Sequence, residues 1–182
     1  MKWKREEYHV DVESGGVFGC SALMGIALFL RVMYYFGFTR TETVGFGELL
    51  LWLILPLLLE VSFMVLLRGF ELDAPGLFGI LGTASCLLLV LQCMGYDSIL
   101  RMIFGIIIYI VCGGIYLAVS AGFLRIELGK WLLFGTAAVR IALDVGPYVL
   151  QFHPVQLMIE AAGICVVLGL GCFMAGLRRA EK

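Results

Sequence analysis

The chain has 182 residues, of which 62% are hydrophobic and 15% are charged, and its mean hydropathy is +1.01. Soluble domains are about 45–50% apolar and about 25% charged, so this composition excludes an ordinary water-soluble protein and makes a lipid bilayer the expected surroundings. The net charge of −1 offers no basic surface to a phosphate backbone, so nucleic acid is not an expected partner.

The apolar residues form six long blocks, and each block predicts one transmembrane helix. A crossing needs about 20 mostly apolar residues to span about 30 Å of hydrocarbon. The predicted fold is all-α: a compact six-helix bundle over 15–177, between cytoplasmic tails at 1–14 and 178–182. The helices are expected near 15–37, 46–67, 76–94, 99–123, 131–150 and 155–177. Because the connections are short, sequential helices should be antiparallel neighbours.

Three of these helices have features of their own. The first should be a permanent anchor, because the charges before it are mixed in sign and its apolar block is too long for a signal peptide. The second contains Pro56, which predicts a kink and a freed carbonyl. The fifth contains Arg140 and Asp144, and each charge near the bilayer centre costs about 2.5–3.5 kcal/mol on insertion scales. This helix therefore needs partners within the bundle.

The distribution of Lys and Arg predicts the orientation. With six crossings, nine of these residues lie on the side of the two termini and two lie on the other side. The positive-inside rule then places both termini in the cytoplasm of a cell with the protein in its plasma membrane. Without the fifth crossing the distribution would be seven against five, so six crossings explain the charges better.

Ionisable residues inside a membrane are functional candidates by default. They are Arg31, Glu60, Arg140, Asp144 and Glu160. The predicted topology places Glu60 in the inner half of the membrane and the other four in the middle-to-outer half. Two cations and two anions there could neutralise one another, and Arg140 and Asp144 are also spaced to pair along one helix.

Polar stripes suggest where these charges point. In the fourth helix Arg101, Tyr109 and Tyr116 share one face, which should turn towards the bundle interior. We predict a polar pocket, open to the outside, between the first, fourth, fifth and sixth helices. The ligand-binding candidates are Arg31, Arg101, Tyr109, Tyr116, Arg140, Asp144 and Glu160. Two other interpretations stay open: ion pairs that only hold helices together, and an ion or proton path through Glu60.

Small residues predict close helix packing in two helices. The stripes are Gly16, Gly19 and Cys20 in the first helix and Gly163, Gly169 and Gly171 in the sixth. Small side chains at such positions let two helix backbones approach closely.

No catalytic constellation is present. The two histidines, His9 and His153, lie outside the predicted helices, and six cysteines lie inside apolar blocks without a CxxC or Cys–His grouping. The sequence therefore predicts no catalytic residue, no metal site and no cofactor, and the cysteines are expected to be small packing residues.

The architecture resembles the substrate-binding subunits of energy-coupling-factor vitamin transporters: six short-looped helices, cytoplasmic termini and polar residues in the outer half. The resemblance covers the whole chain and implies a small-molecule solute, a transmembrane coupling protein and two ATPases as partners. It would also imply that small residues of the first helix meet the coupling protein, and Cys20, Ser21, Ala22 and Gly25 are suited to this.

Two alternatives to a solute-binding subunit remain. One is a non-catalytic assembly or regulatory subunit that contacts a membrane-protein partner, or a second copy of itself, through its helix faces. The other is a small channel or proton-coupled carrier in which Glu60 takes part.

Overall fold

The computed structural model describes residues 10–37, 45–69, 75–94, 98–151 and 154–179. This part of the chain is almost entirely helical, with one short strand before the first helix and one after the last. The elements are β1 (Val10–Val12), α1 (Ser14–Gly37), α2 (Phe46–Leu49), α3 (Leu55–Gly69), α4 (Pro75–Cys93), α5 (Ile99–Ser120), α6 (Ile126–Gln151), α7 (Pro154–Gly176) and β2 (Leu177–Arg179).

Four helical segments are long and apolar enough to cross a membrane: Ser14–Phe36, Phe46–Val65, Ile99–Ser120 and Leu157–Gly176. A fifth apolar segment, Leu77–Cys93, is shorter. Large apolar side chains on the helices point away from the bundle, as Phe18, Phe29 and Phe36 of α1 do. An exposed apolar surface of this extent fits lipid rather than water. The predicted helical membrane protein is confirmed at this level.

A π-helical turn, Leu50–Ile54, joins α2 to α3 just before Pro56. The N–H of Leu55 donates to the carbonyl of Leu50, five residues back instead of four. A proline ring clashes with the carbonyl four residues before it, and proline has no N–H to donate, so a wider turn at this place relieves the crowding. The sequence predicts a kink and a freed carbonyl at Pro56, and the feature that the structure describes there is this π-helical turn.

The C-terminus of α5 lies three residues before its predicted end. Gly122 has a φ of 77°, in the left-handed region, and it ends the helix. The N–H of Phe123 donates to Ala118 O at 2.9 Å, and the N–H of Gly122 donates to Val119 O at 3.1 Å. These two bonds form a Schellman motif, which satisfies the last carbonyls of the helix. The next helix, α6, begins at Ile126, before its predicted start at 131.

Backbone hydrogen bonds hold the start of α1 beside the end of α7. Strands β1 and β2 pair antiparallel, with Val10 opposite Arg179 and Val12 opposite Leu177. The N–H of Glu13 also donates to Gly176 O at 2.7 Å. The chain therefore leaves α7 beside the point where it enters α1.

Close packing of α1 on α7 depends on glycine. A Cβ added at Gly16 would lie 2.7 Å from Gly176 Cα, and one at Gly19 would lie 3.3 Å from Cys172 Cβ. On α7, a Cβ at Gly169 would lie 3.3 Å from Leu23 Cβ. Cys20, next to Gly19, is fully buried. The predicted close packing of these small-residue stripes is confirmed.

Between α3, α4, α5 and α7 lies an aromatic cluster. The ring of Phe173 contacts Phe63 and Phe78 edge to face, with centroids 5.1 and 5.8 Å apart. Tyr116 is fully buried, and its hydroxyl donates to the carbonyl of Leu170. The ring of Tyr116 fits against α4 because Gly82 has no side chain: a Cβ there would lie 2.5 Å from the ring.

Replacing Gly16 with alanine should lower the stability of the α1–α7 contact. The new Cβ meets the backbone of Gly176, which cannot move as a side-chain end could, and overpacking of this kind costs about 1–3 kcal/mol. Thermal unfolding of the purified protein in detergent should show the loss as a lower melting temperature.

Gly15→Ala is the matched control, because a Cβ at Gly15 has no atom within 4 Å. We expect a change within about 0.5 kcal/mol for this variant. Equal effects of the two substitutions would contradict the described packing of α1 on α7.

Candidate functional site

Among the described residues, two buried ion pairs lie inside the bundle, and each joins two helices. Arg31 of α1 pairs with Glu60 of α3, and Arg140 of α6 pairs with Glu160 of α7. All four side chains are buried. In a membrane interior an unpaired charge is expensive, so cross-helix pairs are the expected state of such residues.

In the first pair, Arg31 Nε donates to Glu60 Oε1 at 3.1 Å. Sequence reasoning grouped Arg31 with Arg140, Asp144 and Glu160, but the structure does not bring Arg31 to that group. Helix α1 packs against both α3 and α7, and Arg31 meets the carboxylate of Glu60 on α3 instead of that of Glu160 on α7. The predicted depths, with Glu60 in the inner half of the membrane and Arg31 in the middle-to-outer half, are therefore wrong for this pair. A small cavity beside the pair is lined by residues of α1, α3, α4 and α7, Pro56 among them.

In the second pair, Arg140 Nη2 donates to Glu160 Oε2 at 2.8 Å. The guanidinium of Arg140 also lies over the ring of Tyr109, with its central carbon 5.2 Å from the ring centroid. A cation above an aromatic face is stabilised by the ring's quadrupole, more strongly where water is excluded. The pair and the ring together form a polar cluster between α5, α6 and α7.

Two glycines make room for this cluster. A Cβ at Gly105 would lie 2.9 Å from Arg140 Nη1, and one at Gly163 would lie 2.9 Å from the hydroxyl oxygen of Tyr109. The guanidinium therefore rests directly on the backbone of α5, and the phenol directly on the backbone of α7. Larger residues at either position would separate the three helices.

The structure brings together three of the seven predicted ligand-binding residues: Tyr109, Arg140 and Glu160. Arg101 is half-buried one turn before Gly105, on the face of α5 that contacts Arg140. Tyr116 lies two turns beyond Tyr109 on α5, and its hydroxyl donates to the carbonyl of Leu170 in α7. Asp144 lies on α6 one turn after Arg140, and its side chain is outside the described part of the structure.

Glu160 has an acceptor atom that the described residues do not use. Its side chain is 1% exposed, and one carboxylate oxygen accepts from Arg140. The other oxygen, Oε1, has no hydrogen-bond partner among the described residues. A buried carboxylate oxygen without a donor carries a large desolvation penalty, so this atom is suited to a hydrogen-bond donor from a ligand or from water.

Sequence reasoning missed two polar features. Gln92 of α4 is buried, and its Nε2 has no hydrogen-bond partner within the described ranges. The signal for it was available, because a glutamine within an apolar block is conspicuous. Cys112 Sγ and Thr136 Oγ1 lie 3.2 Å apart across α5 and α6, and no sequence pattern predicts that contact.

The two buried carboxylates each face an arginine instead of each other, so Glu60 and Glu160 do not form a proton-sharing pair. Within the described ranges, no three His, Cys, Asp or Glu side chains converge in the way that a metal site requires.

Comparison of this chain with protein-family models, with curated protein sequences and with solved structures finds no match.

Removing one partner of the Arg31–Glu60 pair should destabilise the protein far more than removing both partners. Glu60→Met leaves the buried guanidinium of Arg31 without its carboxylate, and the loss of one partner of a buried pair costs about 3–5 kcal/mol. The double variant Arg31→Met with Glu60→Met should recover much of that loss, because no charge then remains uncompensated. Thermal and denaturant unfolding in detergent measure both effects.

The control is the exposed pair of Lys130 and Glu127, whose Nζ and Oε2 atoms lie 2.6 Å apart. Glu127→Ala should change stability by about 0–1 kcal/mol, since solvent screens an exposed pair. A Glu60→Met variant as stable as Glu127→Ala would rule out a buried pair at this position.

Proposed function

We propose that the chain crosses the plasma membrane six times, with both termini in the cytoplasm. The β1–β2 pairing supports an even number of crossings, since both strands lie on one side of the bundle. Helix α4, with 19 residues, and helix α6, with 26, are about 28 and 39 Å long at a rise of 1.5 Å per residue, close to or beyond the thickness of the hydrocarbon. The excess of Lys and Arg on the side of the termini favours this orientation.

We further propose that the protein is a solute-binding or transport subunit whose site opens to the outside. The observation that carries this proposal is the unused Oε1 atom of the buried Glu160, beside Arg140 and Tyr109. In the six-crossing topology Glu160 lies near the outer end of α7, so a solute reaches it without traversing the bundle. Arg101 and Asp144 belong to the neighbouring turns on the same side.

The cluster limits the chemistry of the solute. Arg140 already neutralises Glu160, so a solute bound beside Glu160 need not carry a charge of its own. A small polar molecule that donates a hydrogen bond to Oε1 fits best, with part of its surface apolar to match the surrounding helices.

Partners of this subunit would bind on α1, as the resemblance to energy-coupling-factor subunits implies. Of the four small residues considered there, Cys20 is buried against α7 and is not available. Ala22 is exposed, Gly25 is partly exposed, and a Cβ at Gly25 would meet no atom within 4 Å. This open surface leaves room for a coupling protein that acts with two ATPases.

The same open surface on α1 supports the second candidate function, a non-catalytic assembly or regulatory subunit. In that case the partner is another membrane protein or a second copy of this chain, and the buried ion pairs serve only to hold the helices. Affinity purification from native membranes separates the two candidates: an ATPase with a coupling protein fits the first, and one defined complex without any ligand fits the second.

The number of crossings can be tested by cysteine accessibility. With six crossings, a membrane-impermeant maleimide should label Ser98→Cys in intact cells, but label Glu127→Cys only after lysis. If α4 and α6 do not cross, both results are reversed. The native cysteines lie within helices, and unmodified protein measures their background.

Solute binding at Glu160 can be tested with protein purified under mild conditions and examined by native mass spectrometry for a co-purified small molecule. Glu160→Gln keeps the shape of the side chain but removes its charge. We expect about 10- to 150-fold weaker retention, the equivalent of about 1.5–3 kcal/mol for a hydrogen bond to a charged group.

Glu127→Gln, on the exposed first turn of α6, is the control and should retain the molecule fully. A molecule retained equally by both variants binds elsewhere. If no small molecule accompanies the unmodified protein, the assembly role is favoured instead.

A further inference from the structure

The cavity beside the Arg31–Glu60 pair lies where four helices meet. Its walls include Arg31 from α1, Pro56 and Glu60 from α3, Ser85 from α4 and Val166 from α7. The space in which the centre of a water molecule can lie has a volume of about 10 Å³. One buried water needs about 10–15 Å³ on that measure, so the cavity has room for about one water.

Two polar atoms of the pair are buried and unused. Arg31 Nη1, a donor, and Glu60 Oε2, an acceptor, have no hydrogen-bond partner in the described part of the chain. Both side chains are at least nine-tenths buried. Because the contact of 3.1 Å between them engages only one atom of each group, the pair leaves one donor and one acceptor unsatisfied.

The charges select the ligand. The guanidinium of Arg31 repels a cation, and the carboxylate of Glu60 repels an anion. An occupant that satisfies both free atoms is therefore neutral, and it accepts one hydrogen bond while it donates another. We propose that a single water molecule occupies this cavity as a resident ligand, and that it accepts from Arg31 Nη1 and donates to Glu60 Oε2. Bound in this way, water completes an ion pair that direct contact leaves half-satisfied.

The bound water also connects two helices. It lies between Arg31 of α1 and Glu60 of α3, and Pro56 of α3 lines the same cavity. This inference is independent of solute binding at Glu160.

X-ray hydroxyl-radical footprinting of the unmodified protein in detergent tests the inference. Radiolysis of a bound water oxidises the side chains beside it, even where they are buried. Leu89 lines the cavity and is 3% exposed, whereas Leu133 and Leu170 are equally buried at 1% and 0%. We expect several-fold more oxidation of Leu89 than of either comparison leucine.

The double variant Arg31→Leu with Glu60→Leu identifies what holds the water, because it removes both charged partners and leaves Ser85 as the polar side chain among the lining residues. Oxidation of Leu89 should fall to the level of Leu133. The inference is overturned if Leu89 in the unmodified protein is oxidised no faster than Leu133, or if the double variant keeps the strong labelling. Should the double variant not fold, the comparison within the unmodified protein still decides.

Discussion

The helix arrangement depends on one constraint: a charge inside the bilayer must face an opposite charge. Arg31 meets this requirement because α1 lies beside α3, and Arg140 meets it because α6 lies beside α7. The close contact of α1 with α7 then connects the two pairs into one bundle. Since lipid is as apolar as leucine, apolar side chains alone do not select neighbours in a membrane, and these polar contacts do.

The glycines act together with the charges. Gly16 and Gly176 bring α1 and α7 into backbone contact, and Gly105 lets the guanidinium of Arg140 rest on α5. The space that a side chain would fill at Gly16 is occupied by the backbone of Gly176. At Gly105 it is occupied by the guanidinium of Arg140. Packing and electrostatics therefore impose the same helix positions, which is the agreement between levels expected of a sequence with one folded state.

Sequence reasoning predicts the helices well because length and apolarity decide whether a segment can sit in a bilayer. It placed Arg140, Tyr109 and Glu160 together correctly, since they belong to consecutive helices with polar stripes. It could not pair Arg31 with Glu60, because depth estimated from position along each helix put the two residues in different halves of the membrane, and the bond between them contradicts that estimate. The end of α5 was missed for a local reason: Gly122 forms a Schellman motif within an apolar run.

The two pairs share the same chemistry but differ in what surrounds them. Glu160 follows the start of α7 at Pro154 by about 9 Å, whereas Glu60 lies about 21 Å beyond Phe46 and about 14 Å before Gly69, at 1.5 Å per residue. Their partners lie the other way round, because Arg31 is about 9 Å before the end of α1 and Arg140 is at least about 16 Å from either end of α6. Each pair therefore joins a residue near a helix end to one near a helix middle, and position along the helix does not separate them. The described surroundings do: a water-sized cavity lies beside Arg31 and Glu60, and the ring of Tyr109 lies against Arg140.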